Sequence, residues 1–87
     1  MSRMQLSSGA FRTRFGDEPT ARAAARDARS VGFVVEVEGD PTGGWLTVSR
    51  RRQPFAPDDA ARYASRLRAI ATEHGGAYEA FIEETPR

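Results

Sequence analysis

The chain contains no cysteine, so neither a disulfide nor a thiolate metal site can staple it, and its stability has to come from a hydrophobic core. Lysine and asparagine are also missing. All thirteen cations are arginine and alanine is abundant, a composition read more simply as a GC-rich genome than as a set of forks chosen for phosphate. Histidine and tryptophan occur once each. The opening "MSRMQLSSGA" has no apolar segment like that of a secretory leader, and no run elsewhere is long enough to cross a bilayer. Together these absences point to a cytoplasmic protein that does not touch membranes. Charge of one sign is lacking too. The net charge is +1, although residues 1–52 hold nine arginines against six acids and residues 53–87 four against six. That imbalance is too weak to announce a nucleic-acid binder.

What is present is enough for one domain. Eighty-seven residues bury about 60–65% of their extended surface. The expected domain spans 1–87, ordered over about 9–84, with 1–8 and 85–87 fraying at its ends.

Two periodicities alternate along the chain. "AFRTRF" interleaves Phe11, Thr13 and Phe15 with Arg12 and Arg14, the period of a strand. "GDEP" stops it and offers Asp17 as a helix cap, with Pro19 in the first turn. Ala21, Ala24, Ala25 and Ala28 then recur on one helical face, which Gly32 closes. "FVVEVE" alternates again, "GDPTGG" reverses the chain, and "WLTVSR" forms the second arm of a hairpin. After a connector bracketed by Pro54 and Pro57, the positions Ala60, Tyr63, Ala64, Leu67, Ile70 and Ala71 make a second helical stripe. Gly75 and Gly76 end it, and "AYEAFIEE" closes as a strand. The order strand, helix, strand, strand, helix, strand predicts an α+β domain of ferredoxin-like plan: a four-stranded antiparallel sheet with both helices on one face.

On that plan, simple alternation sends Phe11, Phe15, Phe33, Val35, Val37, Leu46, Val48, Tyr78, Ala80 and Ile82 beneath the helices. The open face is expected to carry Arg12, Arg14, Val34, Glu36, Trp45, Thr47, Ser49, Glu79, Phe81 and Glu83. Trp45 and Phe81 beside charges make this face the candidate partner-binding surface, because exposed rings often mark association sites. Arg12 and Arg14 with Glu79 and Glu83 form either its polar part or a plain cross-strand ladder. Trp45 has the alternative of folding against its own hairpin.

The remaining chemistry reads blandly. His74, with no Ser, Cys or metal partner in sight, sits in a last turn beside helix carbonyls. "GDPTGG" lacks the Lys and following helix of a phosphate cradle and is a turn. "SRRRQ", with Arg50, Arg51 and Arg52, is a solvated strand end more readily than a phosphate contact. The acid pairs Asp58–Asp59 and Glu83–Glu84 do not share a face. No catalytic set, cofactor site or metal site is expected.

The string "EHGGAYEAF" carries a resemblance. A helix ending in Gly75-Gly76, followed by Tyr78, Glu79, Ala80 and Phe81, resembles the last strand of the regulator of ribonuclease activity B family, protein inhibitors of ribonuclease E, where the pattern is Gly-Gly-x-Tyr-Asp-Gly-Trp. Gly32, Phe33 and Val35 are similar to that family's Gly-aromatic-x-Val strand, and Leu67, Ile70 and Ala71 to its final helix. The likeness runs over about residues 10–83. Asp-Gly-Trp is replaced by Glu79-Ala80-Phe81, the long acidic extensions of the better-known members are not in this sequence, and the net charge is slightly positive. The resemblance implies a bacterial, non-catalytic regulator of RNA turnover that binds a protein, a ribonuclease or a second copy of itself, through the open sheet face. The alternative expectation is an RNA-binding domain using Trp45, Phe81, Arg12 and Arg14 on the same face.

Overall fold

The structure, a computed structural model, describes residues 5–84. In chain order the elements are β1 (Gly9–Phe15), α1 (Glu18–Ser30), β2 (Val34–Gly39), β3 (Trp45–Arg50), α2 (Pro57–Glu73) and β4 (Ala77–Glu83). The strands pair antiparallel throughout in the order β2-β3-β1-β4. This is the ferredoxin-like α+β arrangement expected from the alternation of periods. No helix among the described residues is long and apolar enough to cross a membrane.

Local chemistry sets the helix limits. Asp17 caps α1 by accepting the Thr20 N–H at 2.9 Å, and Pro19 lies in its first turn. Both helices finish in the same motif. Gly32 N donates to Arg29 O and Phe33 N to Ala28 O; forty-odd residues on, Gly75 N donates to Thr72 O and Gly76 N to Ala71 O. The residue past each C-cap is a glycine with positive φ, Gly32 at 99° and Gly75 at 76°, because a left-handed turn there satisfies the last carbonyls. Ala21, Ala24, Ala25 and Ala28 are all buried, so α1 approaches the sheet as closely as its small side chains promised.

The core between sheet and helices has two parts. One is aromatic: Phe11, Phe33 and Phe55 are buried with Leu67, Ala25 and Ala28, and Tyr63, Tyr78 and Phe81 pack against them. The other holds Phe15, Ala21, Ala24 and Ala71, with Trp45, Val37 and Ile70 at its margin. Between them the Thr13 and Thr47 hydroxyls, both buried, hydrogen-bond to each other.

Within the connector, Phe55 is 7% exposed and lies against Phe11, Tyr63 and Phe81. Its backbone exchanges hydrogen bonds with Ser7 at 2.7 and 2.8 Å, and Ser8 exchanges them with Glu84 at 2.8 and 2.9 Å. Residues 7 and 8 are thus paired with the connector and the end of β4, which satisfies backbone groups there as Phe55 is drawn into the core. Of the ends expected to fray, 1–4 and 85–87 lie outside the described residues.

Candidate functional site

The register divides the sheet into two faces. On the side away from the helices, three rows cross the strands in the order β2, β3, β1, β4: Val34–Arg50–Ala10–Ile82, Glu36–Val48–Arg12–Ala80 and Glu38–Leu46–Arg14–Ala77. Apolar and charged residues thus interleave. Val34 and Ile82 are each 46% exposed, whereas Leu46 and Val48 are 4% and 9% exposed although no helix covers them. The neighbouring arginine stems account for this, since a long cationic side chain can lie along apolar surface while its head stays in water.

Three arginines stand on this face, and two of them tie it together. Arg14 reaches both ends of its row. Its Nε donates to Glu79 Oε2 at 2.6 Å, and its Nη1 pairs with Asp40 Oδ2 at 2.6 Å and donates to Gly43 O at 3.0 Å. It therefore ties the β2–β3 turn to β4 across the sheet, and these carboxylates raise the guanidinium above its ordinary pKa. Arg50 grips Glu84 with two bonds of 3.0 Å, and Glu36 stands 3.8 Å from it. Arg12, in the row between them, has no ion-pair partner among the described residues, and its Nε is enclosed without a hydrogen bond. A buried donor left unpaired is costly. It is the most informative feature of the face.

The expected ladder is therefore half present. Arg14 and Glu79 bond, while Arg12 and Glu83 do not join them. The expected placement of the rings is overturned. Trp45 pairs in register with Phe15 and packs beside it on the helix side, its ring lying 3.7 Å from where a Cβ on Gly39 would stand. Phe81 faces Phe11 with 4.6 Å between ring centroids. Two physical causes act. In β3, Trp45, Thr47 and Ser49 point inward, and Leu46 and Val48 outward; a one-residue change of phase sends every side chain to the opposite face. Small Ser49, 1% exposed, lies between Phe11 and Val35 in the register and leaves room for the rings around it. In β4, the register with β1 shifts at Arg12/Thr13, so that Tyr78 opposes Thr13 and Ala80 opposes Arg12. Glu79 is the extra residue of a bulge. Tyr78 and Phe81 both reach the core, Ala80 and Ile82 move to the open face, and Glu83, opposite Gly9, takes the helix-side parity. Among the described residues, the open face consequently carries no aromatic ring.

His74 lies at the C-cap of α2, and its Nε2 is 2.7 Å from Asp27 Oδ2, a link between the two helices. "SRRRQ" splits. Arg50 belongs to the open face, while Arg51 turns to the opposite end of the helical layer, its guanidinium 4.7 Å from the Tyr63 ring centroid and 5.0 Å from that of Phe33.

The ion pairs predict a pH dependence. Asp40 is held below the usual carboxylate range by the Thr42 N–H first and Arg14 second, Glu84 by Arg50, and the cap Asp17 by Thr20. In the unfolded chain such carboxyls titrate near pH 4. The unfolded chain therefore takes up protons before the folded one, and stability that is complete above about pH 5 is lost as pH falls below about 4. Thermal unfolding across this range is expected to show a flat midpoint near neutrality and a decline in acid; Arg50→Gln should lower the neutral midpoint and make the acid decline smaller, because Glu84 then titrates alike in both states. A midpoint unchanged to about pH 3 would contradict these pairings.

No family model matches the chain, and neither a curated protein nor a solved structure matches it.

Proposed function

We propose that this chain is a non-catalytic protein-interaction module and that the partner on its open sheet face is a second copy of itself. One observation carries the reading: Arg12 stands in the middle of that face with an enclosed, unpaired Nε, and the register puts Glu36 in its own row two strands away. A second copy laid face to face, related by a two-fold axis along β3, sets each β2 over the partner's β1. Glu36 then opposes Arg12 and Glu38 opposes Arg14, and symmetry repeats each pair. Leu46 and Val48 meet their own copies at the axis.

The face is small. Four strands of six or seven residues cover about 19 by 22 Å, a modest patch beside the ~800 Å² that each partner of a standard interface buries. Arginine stems already shield the two central apolar residues. Association is therefore weak, about 10–100 μM.

Sedimentation equilibrium over that range tests it. Wild type should self-associate, Arg12→Glu and Glu36→Arg should each be monomeric, and the double variant Arg12→Glu/Glu36→Arg should recover dimers. A wild type that stays monomeric at about 500 μM, or an Arg12→Glu variant that associates normally, overturns the dimer. The resemblance to ribonuclease E inhibitors makes an enzyme of that type the heterologous partner to try on the same face. A monomeric wild type whose binding to such an enzyme is lost in Arg12→Glu would give the surface to that partner instead.

A further inference from the structure

A second surface owes nothing to the sheet face. Where α1 ends and the connector leaves β3, a concavity of about 270 Å³ is lined by Val31, Phe33, Arg51, Arg62, Tyr63 and Arg66. Another of about 330 Å³ adjoins it, sharing Arg51 and Tyr63 and adding Arg52 and Gln53. Four arginines thus line one continuous groove, two from the connector and two from successive turns of α2. Arg62 is paired with Asp59 at 2.9 Å, and Arg51, Arg52 and Arg66 have no acidic partner among the described residues. Around the groove, like charges stand within a Debye length of each other and repel.

One of the four is already fixed. Arg51 lies over two rings, and its Nη1 reaches Val31 O at 3.4 Å. A guanidinium held this way loses little further freedom on accepting an anion, and its planar fork suits the paired oxygens of a phosphate. Beside it, Val31, 38% exposed, and half-buried Tyr63 give the groove an apolar flank. We propose that this groove binds a phosphate monoester of about nucleotide size, its phosphate among Arg51, Arg52 and Arg66 and its uncharged body against Tyr63 and Val31. The two concavities together fall well inside the range of small-molecule sites, about 300–1,000 Å³, which suits such a ligand better than a nucleic-acid strand.

Calorimetric titration with adenosine 5′-monophosphate, ribose 5-phosphate, inorganic phosphate, adenosine and a single-stranded oligonucleotide separates the sources. The monophosphates are expected to bind one per chain, inorganic phosphate about tenfold more weakly, and adenosine not detectably. Arg66→Ala and Arg52→Ala, at exposed positions, should keep the fold and weaken the monophosphates by about tenfold each. Arg22→Ala, on α1 and paired with Glu18, should leave them unchanged. The site is overturned if no monophosphate binds at about 5 mM, or if Arg22→Ala weakens binding as much as Arg66→Ala. The assigned ligand class is overturned if only the oligonucleotide binds, with a steep inverse dependence on salt.

Discussion

Replacing Phe11 with alanine is expected to remove about 3–5 kcal/mol of folding stability, a large share of the roughly 4–13 kcal/mol available to a domain of this length. Phe11 is fully buried. Its ring centroid lies 4.6 Å from that of Phe81 and 6.2–6.3 Å from those of Phe33, Phe55 and Tyr63. Those rings come from β4, the residue just before β2, the connector and α2, so one side chain joins the sheet, the second helix and the segment that pins Ser7. The cavity left by alanine has no easy route to collapse, because its walls are themselves locked edge to face. Urea denaturation followed by the fluorescence of Trp45 measures the loss. A cost under about 1.5 kcal/mol would show that the aromatic core can close over the gap and is less rigidly packed than described.

The second large effect concerns the double glycine. Gly76→Ala is expected to cost about 3 kcal/mol or more, and Gly75→Ala, its immediate neighbour, only about 1–2 kcal/mol. At Gly76 an added Cβ would stand 2.4 Å from two atoms of the Phe15 ring and 2.5 Å from Arg14 O. Phe15 is 2% exposed beneath α1 and α2, and Arg14 O belongs to a central strand, so neither can give way. At Gly75 an added Cβ meets nothing within 4 Å, and the penalty comes only from the positive φ. The two variants use the same chemistry on adjacent residues, and chemical denaturation of both separates crowding from backbone strain. Equal costs would mean that β4 can draw away from β1 and that the close approach at Gly76 is not required.

The order of elements, the alanine face of α1, the Asp17 cap and the glycine stops follow from residues a few places apart and are legible without a fold. The placement of Arg12, Arg14, Val34 and Glu36 on the open face was legible too, since β1 and the start of β2 obey plain alternation. Trp45 and Phe81 were misplaced because "WLTVSR" is nearly as consistent with one phase as with the other, and hydropathy favours the wrong one: Leu46 and Val48 look like core, while Thr47 and Ser49 do not. The spacing of Tyr78 and Phe81, three apart in a strand, was the available sign of the bulge, because both rings can face inward only if a residue is looped out between them.

The linear chain determined on its own what depends on neighbours: two helices, four strands, their order and their ends. The packed fold alone decided which side of β3 and β4 is inside, because strand parity has two solutions and only the volumes across the sheet, small Ser49 beside Phe11 and Thr13 hydroxyl to Thr47 hydroxyl, choose between them. It alone also gathered Arg51, Arg52, Arg62 and Arg66 around Tyr63, since the connector and α2 meet there only when their aromatic side chains are drawn out of water into a shared core.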